Sequence, residues 1–243
     1  MRKQNDYSIN ELCQAFEVSS SGFRHHFSEN TIAKLMQEHG LVAKGAKTFK
    51  APKTTTVDKS AKYSPNRLKD QTANYFGEVL IADITYIPTK EDWLYLSVVI
   101  DLHSRAVLGY QTSGAMPASI VTKALQNAVN DWSIPRGLSI FHSERGCQYT
   151  SNELRKELKR YDFTQSMSAK GNCYDNATCE SFFSGLKREL LPDCGYFDSR
   201  VEAKEAIFEH IASFYNTRRL HSSLGNLSPY EFIKQNNQLA LSA

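Results

Sequence analysis

One segment limits the possible folds of this chain more than any other: the run VLIADITYI at residues 79–87. It is almost continuously apolar and rich in β-branched residues, which is typical of a strand covered on both faces. Its single acid, Asp83, stands in the middle of the run. Because an ionised carboxylate buried alone is costly, Asp83 needs a cation, a hydrogen-bond network or access to solvent.

The pattern after this strand predicts an α/β chain. Turns at 88–92 and 101–105 connect three strands into an antiparallel meander, and helices with a 3.6-residue apolar period then alternate with short strands. Strands are predicted at 79–87, 93–100, 106–111, 138–141 and 163–167. Helices are predicted to begin at Pro117, Ser151 and Ser228 and to cover 177–190 and 201–215. This order of elements, a mixed five-stranded sheet with helices on both faces, is that of the ribonuclease H-like fold.

Local composition divides the chain into four parts. Residues 1–43 look like a small helical segment, 75–236 like the folded core with C-terminal helices, and 237–243 like a tail. Residues 44–74 read as a basic linker, in which eight Lys and Arg between Lys44 and Lys69 face a single acid. Such a run suits a phosphate backbone. A solvated spacer that its lysines keep extended has the same composition.

Bulk composition argues against several other classes of protein. The 243 residues are 41% hydrophobic, which is typical of a globular chain. The longest apolar stretches are too short to span a bilayer, and the polar N-terminus lacks the apolar segment of a secretory signal. Five cysteines without a CxxC pair do not suggest a zinc site. We therefore expect a cytoplasmic protein without a membrane partner.

Two further acids belong with Asp83. Glu144 follows the predicted fourth strand, and Glu180 shares one face of a predicted helix with Ser184 and Lys187. Taken alone, either glutamate is more typical of an ordinary loop or surface acid. Together, three carboxylates could hold two Mg²⁺ ions, because Mg²⁺ prefers hard oxygen ligands. Such a pair would stabilise the attacking and leaving oxygens of an in-line phosphodiester displacement.

Several motifs resemble a known family. They are DITYIPT at 83–89, WLYLSVVIDLHSRAVLGY at 93–110, FHSERGCQYTS at 141–151, SMSAKGNCYDNATCESFFSGLKREL at 166–190 and YNTRRLHSSLGNLSPYEF at 215–232. Over residues 79–232 the chain resembles the insertion-sequence transposases whose second reading frame (OrfB) carries a retroviral-integrase-like core. The resemblance implies a DDE transposase that uses Mg²⁺ or Mn²⁺, two ions, to cut DNA at element ends and join them to target DNA. It also implies a homo-oligomer on the DNA.

The same resemblance assigns roles to individual residues. Asp83, Glu144 and Glu180 would be the catalytic acids and metal ligands, and Lys187 would grip a phosphate as a point charge. Contacts to DNA would come from Lys187 and from a further set: Lys170, Asn172, Asn176, Asn216, Arg218, Arg219 and His221. For each member of that set, surface solubility or loop hydrogen bonding is the alternative.

Two features depart from the family pattern. Aspartate is expected where this chain has Glu144, and a misplacement of about 1 Å can cost on the order of 10²-fold in rate. The N-terminal helix-turn-helix region also looks shortened, because the stretch that normally links VSSSGF to TIAKLMQEHGLVAK is missing. These departures favour an alternative function, a decayed copy that binds DNA without cutting it. A ribonuclease H-type nuclease, which would share the fold and the metals, is a third hypothesis.

Overall fold

The structure is a computed structural model that describes residues 34, 38, 63–68, 72–168 and 176–241, with side chains up to 236. Apart from residues 34 and 38, which are helical, the predicted helical segment at 1–43 lies outside the described residues, as does most of the basic linker. The predicted tail at 237–243 lies partly within them, and the last helix continues through it as far as Leu241.

Five strands form one mixed sheet in the order β3-β2-β1-β4-β5. Their bounds are β1 Val79–Thr89, β2 Asp92–Asp101, β3 Val107–Ser113, β4 Ile140–Ser143 and β5 Thr164–Met167. β1, β2 and β3 pair antiparallel, whereas β4 runs parallel to β1 and β5 parallel to β4. The predicted mixed five-stranded sheet is confirmed, and β1 is its central strand.

The described residues after β3 form five α-helices. Their bounds are α1 Ser119–Asp131, α2 Asn152–Arg160, α3 Ala177–Leu190, α4 Arg200–Glu209 and α5 Pro229–Leu241. The predicted continuous helix at 201–215 is instead α4 followed by a π-helical turn, His210–Tyr215. This wider turn changes the helical phase, so that Tyr215 donates from its hydroxyl to the carbonyl of Arg105, 3.0 Å away. Within this part of the chain, no helix is long and apolar enough to cross a membrane.

Both faces of β1 are covered, as its continuous apolar run predicts. Successive strand residues point to opposite faces. Ile81 and Ile87 therefore join a buried cluster with α3 and α4, while Leu80 and Ala82 join another with α1 and α2. A carboxylate on β1 is thus placed beneath a helix layer, which is the setting of Asp83.

The packed core begins earlier than the predicted boundary at residue 75. Leu68 is buried in the core, with 5% of its surface exposed. The backbone N–H of Arg67 donates to Ser166 Oγ (2.9 Å), and Ser64 Oγ donates to Gln165 Oε1 (3.0 Å). Residues 63–68, although assigned by composition to the linker, therefore lie along β5 and extend the core.

β3 passes so close to α1 that only glycine fits at position 109. A Cβ there would overlap with the backbone oxygen of Ala124 and the backbone nitrogen of Ala128. We expect Gly109→Ala to lower the free energy of unfolding by about 3 kcal/mol or more, the upper end for overpacking. Chemical denaturation measures this loss.

Gly114→Ala is the matched control for this substitution. Its added Cβ would lie 2.9 Å from the end of the Arg200 side chain, which can move aside. A loss in Gly109→Ala no larger than in Gly114→Ala would contradict the close approach of β3 and α1.

Candidate active site

The register between β1 and β4 brings two of the three acids together. Val79–Ala82 pairs in parallel with Ile140–Ser143, and the last pair is Ala82 with Ser143. The next residues along the two strands are Asp83 and Glu144. They therefore leave the paired region side by side, although β1 itself continues and pairs Asp83 with Val98 of β2.

Helix α3 supplies the third acid. Its buried face includes Cys179, Phe182 and Leu186. The Sγ of Cys179 contacts the carbonyl of Ile81 at 3.9 Å. Packing of this face against β1 sets the first turn of α3, with the exposed Glu180, next to the strand that carries Asp83. A carboxylate in a first turn is favoured by the helix dipole.

The acids are close enough to affect one another electrostatically. Burial raises the pKa of Asp83 from 3.8 to about 7, the negative charge of Glu144 adds to this, and that of Glu180 adds less. Hydrogen bonds from the Ile84 N–H and from Asn176 oppose the rise. Burial and then the charge of Glu180 raise the pKa of Glu144 as well. The three carboxylates thus form one cluster whose like charges repel.

This cluster fits a divalent cation by the chemistry of its donors. Carboxylate oxygens are the ligands that Mg²⁺ and Mn²⁺ prefer, and a cation would relieve the repulsion. Among the residues that the structure describes, no three His, Cys, Asp or Glu side chains already form a group that could hold an ion. The charges of the three acids therefore raise the pKa of their neighbours, although the three carboxylates are not grouped closely enough to form a set of metal ligands.

Two buried polar atoms beside the acids have no hydrogen-bond partner among the described residues. They are the hydroxyl of Tyr149 and Oδ1 of Asn176. Burial and the negative charge of Asp83 raise the pKa of Tyr149 well above its ordinary value. A buried polar atom left unpaired costs about 1–3 kcal/mol, which marks the cluster as a place for a polar ligand. Sequence reasoning missed Tyr149, whose only signal is its place in the motif at 141–151.

A cation borders the acids on the expected face of α3. Lys187 follows Glu180 by two helical turns, and its Nζ lies 4.2 Å from the centre of the Tyr86 ring on β1. Burial lowers the pKa of Lys187, while the negative charge of Asp83 acts in the opposite direction. Tyr86, another residue that sequence reasoning missed, thus helps to set where the ammonium group lies.

Comparisons with known proteins agree with this geometry. One family model described as "Integrase core domain" matches residues 76–173, and a second of the same description matches 161–229. The transposase for insertion sequence element IS904 of Lactococcus lactis subsp. lactis (strain IL1403) is 40% identical over 207 residues, or 85% of this chain and 80% of that protein. The chain belongs to the insertion-sequence transposase family.

Further relatives extend the same likeness. Transposase InsF for insertion sequence IS3A of Escherichia coli (strain K12) is 41% identical over 221 residues, covering 90% of this transposase and 75% of InsF. Among solved structures, a simian T-cell lymphotropic virus intasome matches 93% of this chain and 74% of its own, with a TM-score of 0.55 and 12% identity. At that identity the likeness concerns the fold alone, and the predicted integrase-like, ribonuclease H-like fold is confirmed.

Asn216 of the transposase, a predicted DNA contact, is held against β3. Its side chain is buried, with 4% of its surface exposed. The amide donates to the carbonyl of Val107 (2.9 Å) and accepts from the N–H of the same residue (3.0 Å). Asn216 therefore takes the place of a strand partner at the outer edge of β3. The structure thus gives Asn216 a structural role, and its contact with DNA stays a prediction.

Arg219 also faces the protein. Its Nη1 lies 2.9 Å from Oε1 of Glu189 on α3. The guanidinium covers Gly185, where a Cβ would come within 2.8 Å of Nη1. Arg219 thus braces α3 through a close approach that glycine permits, and its contact with DNA stays a prediction.

The remaining residues predicted to contact DNA differ in their surroundings. His221 packs edge-on to the Tyr215 ring at 5.2 Å. Burial, Arg219 and Arg105 lower its pKa to about 4. Asn176 is buried beside Asp83. Arg218 is exposed, and Lys170 and Asn172 lie outside the described residues.

Neutralising Asp83 is expected to stabilise the metal-free transposase at alkaline pH. The pKa of Asp83 is about 7 in the fold against an ordinary 3.8. The folded state therefore binds more protons than the unfolded one, and its stability falls as pH rises between these values. Asp83→Asn removes this loss, so it should melt above wild type at pH 8 but not at pH 4 when EDTA is present.

Glu205→Gln, a change at an exposed acid in the middle of α4, is the control for this melting series. Its melting temperature should follow that of wild type at every pH. A wild-type protein more stable than Asp83→Asn at pH 8 without metal would refute the raised pKa of Asp83.

Removing Arg219 should weaken the fold, whereas removing its neighbour should not. The Arg219 and Glu189 side chains are only 21% and 26% exposed, so Arg219→Ala leaves a poorly solvated carboxylate and should cost about 1–3 kcal/mol in unfolding free energy. Arg218→Ala, at an exposed position, should stay within about 0.5 kcal/mol of wild type. Urea denaturation compares the two, and equal losses would argue against the bracing role.

Proposed function

We propose that Asp83, Glu144 and Glu180 are the catalytic acids of this transposase and bind Mg²⁺ or Mn²⁺, two ions, for DNA cleavage and strand transfer. The observation that carries the proposal is the pairing of Ala82 with Ser143, because it makes Asp83 and Glu144 neighbours. Bound divalent ions would activate the attacking oxygen and stabilise the leaving oxygen of the phosphodiester exchange.

The three acids differ in how firmly they are held. Asp83 accepts one hydrogen bond on each oxygen, from the Ile84 N–H to Oδ1 (2.8 Å) and from Asn176 Nδ2 to Oδ2 (2.8 Å). Glu144 is half-buried at a strand end, and Glu180 is exposed on a helix. Ion binding would therefore bring two longer, more adjustable side chains toward one fixed carboxylate.

The substrate of this site is DNA, both as element ends and as target. Lys187 lies beside the acids and would hold a phosphate close to them, and the exposed Arg218 offers a second cation. A 3′-hydroxyl exposed at an element end then replaces the leaving 3′-oxygen of a target phosphodiester, with no covalent enzyme intermediate. We further propose that a homo-oligomer holds the two ends.

The transposase relatives favour this function over a DNA-binding remnant or a ribonuclease H-type nuclease. The likeness to the IS904 and IS3A transposases extends over 85% and 90% of the chain. The electrostatic coupling of all three acids is also intact. The chain still differs from the family pattern at one of the three acids, where it has Glu144 in place of the expected aspartate.

Strand transfer by wild type, Glu144→Asp and Glu180→Gln with Mn²⁺ and element-end DNA tests this proposal. We expect products from wild type and up to about 10²-fold faster product formation by Glu144→Asp, because a 1 Å correction of a ligand can restore that much. Glu180→Gln should bind the DNA and yield no product. If only Glu144→Asp forms products, Glu144 is the change that inactivates the wild-type chain. If neither wild type nor Glu144→Asp forms products, the chain is a decayed copy that binds DNA without cutting it.

A further inference from the structure

We infer that Asn176 is a positioning residue that fixes the carboxylate of Asp83 for metal binding. This inference rests on the proposed function of the acids and assigns to Asn176 a role other than the DNA contact suggested by the sequence. Four observations support it. They are the place of Asn176 at the start of α3, the hydrogen bond from its side chain to Asp83, the lack of a side-chain bond that caps α3, and its burial.

Asn176 occupies the position before the first residue of α3, where asparagine ordinarily caps a helix through its side-chain oxygen. Three other helices among the described residues are capped in that way, since Ser151 accepts from the N–H of Leu154, Ser199 from that of Glu202 and Ser228 from that of Glu231. The side chain of Asn176 makes no such bond to α3. Helix capping therefore does not explain this asparagine.

The amide is directed at the acid cluster instead. Nδ2 donates to Oδ2 of Asp83 at 2.8 Å, across 93 positions of sequence. With Oδ1 of Asp83 held by the N–H of Ile84, both oxygens of the carboxylate have a fixed donor. A carboxylate held at both oxygens cannot rotate freely, so its remaining lone pairs keep one direction. Partners of this kind typically contribute about 10–100-fold to metal affinity.

The other end of the amide is a buried oxygen without a partner among the described residues. This atom is Oδ1, and Asn176 is 1% exposed. An ionised carboxylate only accepts hydrogen bonds, so the NH₂ group must face Asp83 and the unpaired atom must be the oxygen. Mg²⁺ usually keeps several of its waters, which are donors. A hydrated ion at the acids would thus supply the kind of partner that this oxygen needs.

The competing explanation is that Asn176 only ties α3 to β1. In that case its removal lowers stability and leaves metal affinity unchanged. Serine adds a test for helix capping, because it caps helices in this chain yet is too short to reach Asp83. A capping role predicts that serine substitutes for asparagine. A purely structural tie predicts that both variants lose stability and keep their metal affinity, whereas a positioning role predicts that both bind metal more weakly.

Isothermal titration of the full-length protein with Mn²⁺ in the absence of DNA tests the inference. We expect wild type to bind, Asp83→Asn to lose binding, and both Asn176→Ala and Asn176→Ser to bind about 10–100-fold more weakly. Asn127→Ala is the matched control, because Asn127 also donates from its side chain to another element, the carbonyl of Tyr110, but lies on α1. Its Mn²⁺ affinity should equal that of wild type. Circular dichroism and melting without metal verify that each variant folds.

The outcomes distinguish this inference from the function on which it rests. Absence of Mn²⁺ binding by wild type would overturn the proposed metal site itself. Normal binding by wild type, loss in Asp83→Asn and unchanged affinity in both Asn176 variants would overturn the positioning role alone. Full affinity in Asn176→Ser with weak affinity in Asn176→Ala would assign Asn176 to helix capping. If the alanine variant does not fold, the serine variant, which retains a capping group, decides.

Discussion

The parallel pairing of β1 with β4 is the interaction on which the candidate site depends. A slip of one residue would turn every side chain of β4 to the opposite face and separate Glu144 from Asp83. The register is held by packing, since Leu80 and Phe141 are fully buried opposite each other. It is also held by polar contacts of β4 with the β5 region, because His142 places Nδ1 2.9 Å from Ser166 Oγ and Nε2 3.2 Å from Ser168 Oγ. The chemistry of the site is thus set by the interior of the sheet.

The position of the third acid depends on a different set of contacts. Helix α3 is held from below by the segment that follows α4: Tyr215 packs edge-on to Phe182 at 4.8 Å, and Arg219 pairs with Glu189. Asn216 fixes the same segment to β3. The C-terminal part of the chain therefore acts as a scaffold for the helix that carries Glu180.

The sequence predicts some of these features and not others for physical reasons. Strand positions are local properties of apolar runs, and a lone acid within such a run, Asp83, is conspicuous because its burial is costly. Polar residues such as Asn216 and Arg219 give no such signal, since the same side chains suit a phosphate, a carboxylate or a bare strand edge. Both residues follow the π-helical turn at His210–Tyr215, and a single turn of this kind produces no repeating pattern of apolar residues in the sequence. The partner of Asn176 lies 93 positions away, so no local pattern can reveal it.

The contrast between one fixed acid and two adjustable ones bears on the unusual glutamate. In a site with three rigid ligands, an added methylene would displace the carboxylate with no means of correction. Here Asp83 alone is held at both oxygens, whereas position 144 lies at the end of a strand and is half-buried. A longer side chain there can still reach an ion, at the cost of more rotamer freedom lost on binding. We therefore expect Glu144 to lower the affinity for the metal, while Asp83 remains the fixed carboxylate of the site.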